Sequence, residues 1–261
     1  LPVEELRDLA LEGSISFRDF KLHGLVARRL KAGVLARNGT LIVKPLAADF
    51  YGGDLTGEIN AQAMPHDMQV RLSLAAKGFQ AGGFMLGWAG KEYVTGKTDM
   101  FLDVGGVGAA DTELLRTLEG LAGFKISDGS YALSGSTEAP PPPRRPGTTA
   151  QTGAPRRVGT PFWQASAKIK AAGGVFQTSD FRLEGPGNIV TGRGSFSLAD
   201  DSINVSLTAN MPGVPDVPIK VFGRLKDPEM EIPPGMLINN TIKEILGIPL
   251  KPIKFFKDLL F

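Results

Sequence analysis

The stretch Thr191 to Met211, TGRGSFSLADDSINVSLTANM, leaves a chain few ways to fold. Phe196 and Leu198 alternate with Ser195 and Ser197. After Ala199-Asp200-Asp201-Ser202, the apolar residues Ile203, Val205 and Leu207 alternate with Asn204, Ser206 and Thr208. Apolar residues at every second position put one face of a strand on oil and the other on water. The Asp-Asp-Ser segment supplies turn chemistry, because short polar side chains bond nearby backbone and tolerate tight dihedrals. This predicts a β-hairpin with one greasy face and one face of serine, threonine and asparagine.

The same grammar runs through most of the chain. Ile15, Phe17 and Asp19 follow period two, then Phe20 and Leu22. Leu25 to Lys31 and Gly33 to Arg37 read as strands, with Asn38-Gly39 as a tight turn. Leu41 to Val43, Ala47 to Tyr51, Leu55 to Ala61 and the clean alternation of Val70, Leu72 and Leu74 continue the series. Thr98 to Val104 is a strand carrying Leu102. Phe124 to Ile126 and Ser130 to Leu133 form a predicted hairpin over Ser127-Asp128-Gly129. Further strands are expected at Ala165 to Lys170, Val175 to Gln177, Phe181 to Leu183, Ile189-Val190, Ile219 to Phe222 and Met230 to Ile232. Glycine at 33 positions and proline at 19 fit a fold with many turns.

Helical spacing is rarer. Leu1 to Gly13 carries Val3, Leu6, Leu9 and Ala10 on one face, with Gly13 as the stop. Phe84, Met85 and Trp88 predict a short helix in Phe79 to Ala89, either touching lipid or plugging the end of a sheet. Asp111 caps a helix to Leu118 with Leu114, Leu115 and Leu118 on one face.

Two segments break the pattern. Glu138 to Thr160, EAPPPPRRPGTTAQTGAPRRVGT, has almost no apolar residue and predicts an exposed loop that cannot bury itself. The tail has Met236, Leu237, Ile242, Ile245 and Leu246 in one helical set. Leu250, Ile253, Phe256 and Leu260 form a second, with Lys251 and Lys254 opposite, able to meet a groove end or lipid phosphates. The organisation expected is residues 1–137 as the first part of a β-groove, 138–160 as the loop, 161–233 as further hairpins of the same sheet, and 234–261 as an amphipathic tail.

Bulk composition narrows function mainly by exclusion. Apolar residues make up 42% and charged residues 21% of 261 residues, as in a globular protein. The net charge of +2 comes without a dense Lys/Arg stripe, so nothing argues for nucleic acid. The absence of cysteine removes disulfides, thiolate nucleophiles and cysteine metal sites. His23 and His66 lack a carboxylate partner at metal spacing and read as loop residues. Gly106-Val107-Gly108-Ala109-Ala110 imitates a dinucleotide loop, but Asp111 takes the place of the third glycine and no βαβ series surrounds it. Asp200-Asp201 reads as a turn rather than a catalytic pair. No enzyme activity and no cofactor are expected.

Lys31 to Asn60 and Ala171 to Ser197 echo each other, each running strand, turn, strand, glycine turn and Thr-Gly. Thr56-Gly57, Thr95-Gly96 and Thr191-Gly192 are expected to open strands, as in a sheet grown from one repeated hairpin. With LIVKPLAADFYGGDLTGEINA, RLSLAAKGFQAGGFMLGWAGKEYVTGKTDMFLDV, LLRTLEGLAGFKISDGSYALSG, FRLEGPGNIVTGRGSFSLADDSINVSLT and VPIKVFGRLKDPEMEIP in that order, the chain resembles the carboxy-terminal region of the AsmA family of bacterial envelope proteins. The resemblance implies a periplasmic β-rich body, anchored to the inner membrane by a segment that this chain does not include. It also implies a bent sheet with an apolar groove, similar to bridge-like lipid-transfer proteins. The role implied is phospholipid movement to the outer membrane and outer-membrane assembly, with no catalytic residue.

The combined expectation is a mainly β fold with short helices. Its antiparallel, repeated-hairpin sheet is bent into an open groove. Parity predicts that Val70, Leu72, Leu74, Leu102, Val104, Phe196, Leu198, Ile203, Val205 and Leu207 share the concave side. Phospholipid acyl chains or a dry core cover that side, and the partners expected are phospholipid and the inner or outer membrane surface. A scaffolding module that binds envelope proteins by strand addition at an open edge is the other reading.

Overall fold

The computed structural model describes residues 3–22, 24–136 and 159–234. There the alternating segments pair in chain order into one antiparallel sheet of 13 strands. They are β1 (Leu11–Leu22), β2 (Leu25–Arg37), β3 (Thr40–Phe50), β4 (Gly53–Ala63), β5 (Met68–Gln80), β6 (Glu92–Gly108) and β7 (Glu119–Ser136), then β8 (Thr160–Ala172), β9 (Val175–Gly185), β10 (Asn188–Ser197), β11 (Ser202–Met211), β12 (Val214–Arg224) and β13 (Pro228–Glu231). Short connections suffice because each strand reverses its predecessor. Helix α1 (Val3–Asp8) precedes the sheet, α2 (Ala81–Ala89) joins β5 to β6, and α3 (Asp111–Thr117) joins β6 to β7.

The sheet is bent, and one ion pair measures the bend. Lys91, just before β6, meets Asp227, in the β12–β13 turn, at 2.7 Å. Six strand spacings separate β6 from β12, which is roughly 29 Å in a flat sheet. The carboxy-terminal strands therefore fold back across the concave face.

The helices sit at strand ends. Leu6 of α1 is buried with Ala61 and Met68. α2 covers the start of β6, where Phe84 joins Phe50, Tyr51 and Phe79 in an aromatic cluster. Its Gly87 lets the helix approach the Tyr51 hydroxyl and the Gly24 carbonyl, a space any Cβ would fill. At the opposite strand ends, Leu118, just after α3, is buried with Val104, Ala171 and Phe176.

Four expectations are corrected. The first helix stops at Asp8, and Gly13 lies inside β1. The hairpin over Ser127-Asp128-Gly129 does not form. β7 runs straight through it and pairs with β6 and β8 on both sides. Asp128 takes a positive φ of 52° there, so turn chemistry serves an irregularity in a continuing strand. The Thr-Gly pairs lie within β4, β6 and β10 instead of opening them. Leu198 follows the end of β10, in the turn, where it is exposed and outside the concave row. The loop from 138 and the tail from 234 fall almost wholly outside the described residues, as do Lys251, Ile253, Lys254, Phe256, Leu260 and His23.

Candidate functional site

Directly opposed residues of an antiparallel ladder share a face. Leu72 on β5 opposes Ile59 on β4 and Val104 on β6. Val104 opposes Gly120, which opposes Ala171, then Phe176, Phe196 and Ile203. One apolar row thus crosses from β4 to β11. Val70 opposes Ala61, Leu74 opposes Leu102, and Val205 opposes Val221 on the same side. Leu207 opposes Ile219. Nine of the ten residues expected on the concave side stand there, Leu198 being the exception.

Burial along this face is uneven. Val104 is buried, whereas Val70, Leu72, Leu74, Leu102, Phe196, Ile203, Val205 and Leu207 are half-buried. The ring of Phe196 stacks on Phe176 with centroids 4.9 Å apart. Val43 on β3 opposes Ile59, and both are half-buried too. Alternation alone did not single these two out. Their placement depends on a register shift in β3 between Val43 and Leu46.

The two halves share a packing device. Gly57 on β4 opposes Leu74 on β5, and Gly192 on β10 opposes Leu207 on β11. A Cβ on either glycine would run into the Cδ2 of the facing leucine. The missing side chain lets each leucine lie over its neighbour strand. The similarity of the two segments in sequence thus has a counterpart in space.

The convex face is wet. Arg71 pairs with Asp103 at 3.0 Å and Arg182 with Glu184 at 2.6 Å. Exposed pairs of this kind contribute little to stability, and the same face also exposes Phe101 and Leu121.

The residues of α2 divide. Phe84 faces the aromatic cluster and stacks with Trp88 at 6.3 Å, and Met85 is half-buried beside them. Glu92, the first residue of β6, is buried against Gly82 of α2, where a side chain would meet its carboxylate. Burial raises its pKa above the ordinary carboxylate value. Asp227 has its pKa lowered, first by the hydrogen bond from Lys91, and Lys91 is correspondingly raised.

Among the described residues no cluster of His, Cys, Asp or Glu could hold a metal ion, and no helix is long and apolar enough to cross a membrane. Gly106 to Gly108 end β6, and α3 joins β6 to an antiparallel neighbour, β7, whereas the helix of a dinucleotide fold joins parallel strands.

A single antiparallel sheet with one continuous apolar face, curved and not closed into a barrel, defines an open β-groove. The model of the AsmA family matches residues 2–183, and the chain belongs to that family. No curated protein and no solved structure matches it. The family match ends within β9, while the sheet continues without interruption to β13.

Proposed function

We propose that the concave face binds phospholipid acyl chains, and that the chain serves lipid transport between the membranes of the bacterial envelope without catalysing a reaction. Membership of the AsmA family supports an envelope and lipid-related role. One observation carries the finer reading. The mid-strand strip of Val43, Ile59, Leu72, Leu74 and Leu102 is apolar and half-buried, while the three helices cover only strand ends. An alkyl chain covers such a strip without asking for hydrogen bonds, which a peptide partner would need. The headgroup stays in water at the rim. The compartment that fits this role is the periplasm, with the body held to the inner membrane by a segment outside this chain.

Native mass spectrometry of the purified protein tests the reading. Mass increments of one or more phospholipids are expected. Leu72→Asp and Ile59→Asp, at facing positions of β5 and β4, should remove them while the sheet stays folded. Lipid carried equally by both variants and the parent contradicts the assignment.

Strand addition is the second reading, favoured by one contrast. β13, at one edge, has four residues and begins with a proline, whereas β1, at the other, has 12 residues. A long open edge is a template for pairing.

A further inference from the structure

The concave face changes character from one end of the sheet to the other, and the change gives the groove a polarity. On β12 and β11, Val217 and Ala209 oppose each other and both have 0% exposure, while Met211 and Phe162 have 2% each. They form one cluster with Ala165, Leu183, Val190 and Ile219. The principal packing contacts of the helices are with β2 to β6, so helices are not what covers Val217. The cover is the sheet itself, folded back and fastened by Lys91 and Asp227. This end is a dry core.

At the other end, Leu11, Ile15 and Phe17 of β1 oppose Ala36, Ala32 and Leu30, which belong to the concave face. Phe20 opposes Ala27 and Leu22 opposes Leu25. These five β1 side chains are between 36% and 55% exposed. Between the two ends, Val43, Ile59, Leu72 and Leu102 are half-buried. Among the described residues, the large apolar side chains of the concave face that are more than a third exposed all lie on β1, whereas Val217 and Ala209 near the opposite edge are sealed.

Resting on the acyl-chain reading above, we infer that the groove is one-ended. Phospholipid acyl chains enter beside β1 and run toward β6, and the β8–β13 core is a stop, not a passage. A conduit open at both ends would leave accessible apolar side chains at both. Here an acyl chain reaching Val217 would have to displace a packed core, where even small volume changes are felt.

Photo-crosslinking tests this on the full chain. The protein is loaded from phospholipid vesicles containing a lipid with a photoactivatable group at the acyl terminus, and labelled positions are mapped by mass spectrometry. Labels are expected at Ile15, Phe17, Ile59 and Leu72, with at least tenfold less at Met211 and Val217. Equal labelling at both ends overturns one-endedness but leaves acyl-chain binding standing. No label anywhere overturns both. The double variant Ile15→Lys with Phe17→Lys changes only exposed side chains and should stay folded. It should slow lipid loading at least tenfold. Unchanged loading places the mouth elsewhere and refutes the inference.

Discussion

Val217→Asp measures whether the carboxy-terminal end of the groove is dry. The valine has 0% exposure, so its replacement forfeits the burial of a whole side chain, about 1.5 to 3 kcal/mol. It also leaves a carboxylate without a partner in that core, which costs several kcal/mol more or forces its protonation. The sum is on the order of 5 kcal/mol, the lower end of the stability of a whole domain. At about 2 to 4 °C per kcal/mol for a chain of this size, melting should fall by 10 °C or more. Phe17→Asp is the control on the same face. That ring is 45% exposed, so its replacement forfeits about half of a side chain's burial, roughly 1 kcal/mol, and buries no unpaired charge. Thermal and urea denaturation followed by circular dichroism reads both. If Val217→Asp melts within 2 to 3 °C of the parent (about 1 kcal/mol), water reaches that end and the dry core is refuted.

Two more outcomes follow from local packing. Glu92 has a raised pKa in the folded protein because burial disfavours its charge, so stability is highest below the unfolded carboxylate pKa and declines as pH rises through the folded value. Glu92→Gln should remove that decline and stabilise the protein at neutral pH; a variant less stable than the parent at pH 7 contradicts this. Gly192→Ala forces Leu207 to move and should cost about 1 to 3 kcal/mol as overpacking does. Leu207→Ala should relieve part of that cost in a double-mutant cycle, and strict additivity of the two changes refutes the contact.

Much of the sheet was legible because alternation is a local signal. The parity break after Asp19, where Phe20 and Leu22 replace the odd positions, coincides in the structure with Arg29 of the facing strand at a positive φ of 48°. α2 and α3 were legible from their apolar spacing within one residue or two of their ends. Ser127-Asp128-Gly129 misled because the residues that make a turn also tolerate a left-handed irregularity inside a strand, and only pairing with β6 and β8 decides between them. Leu198 misled because alternation persists one step beyond the last ladder pair, Ser197 with Ser202. The difference between the two ends of the groove had no sequence signal. Leu72 stands between Arg71 and Ser73 and Val217 between Asp216 and Pro218, yet one is half-buried and the other sealed. What separates them is the return of the sheet on itself, fixed by contacts such as Lys91 with Asp227, 136 residues apart.

The central claim is that acyl chains lie on the concave row, and nuclear Overhauser effects test it most directly. The protein is deuterated except at Ile, Leu and Val methyl groups and loaded with protonated phospholipid. Cross-peaks are expected between acyl methylenes and the methyls of Val43, Ile59, Leu72 and Leu102, with none to Leu121 on the convex face. Acyl cross-peaks confined to Leu121, or absent from the concave methyls in a lipid-loaded sample, contradict the account.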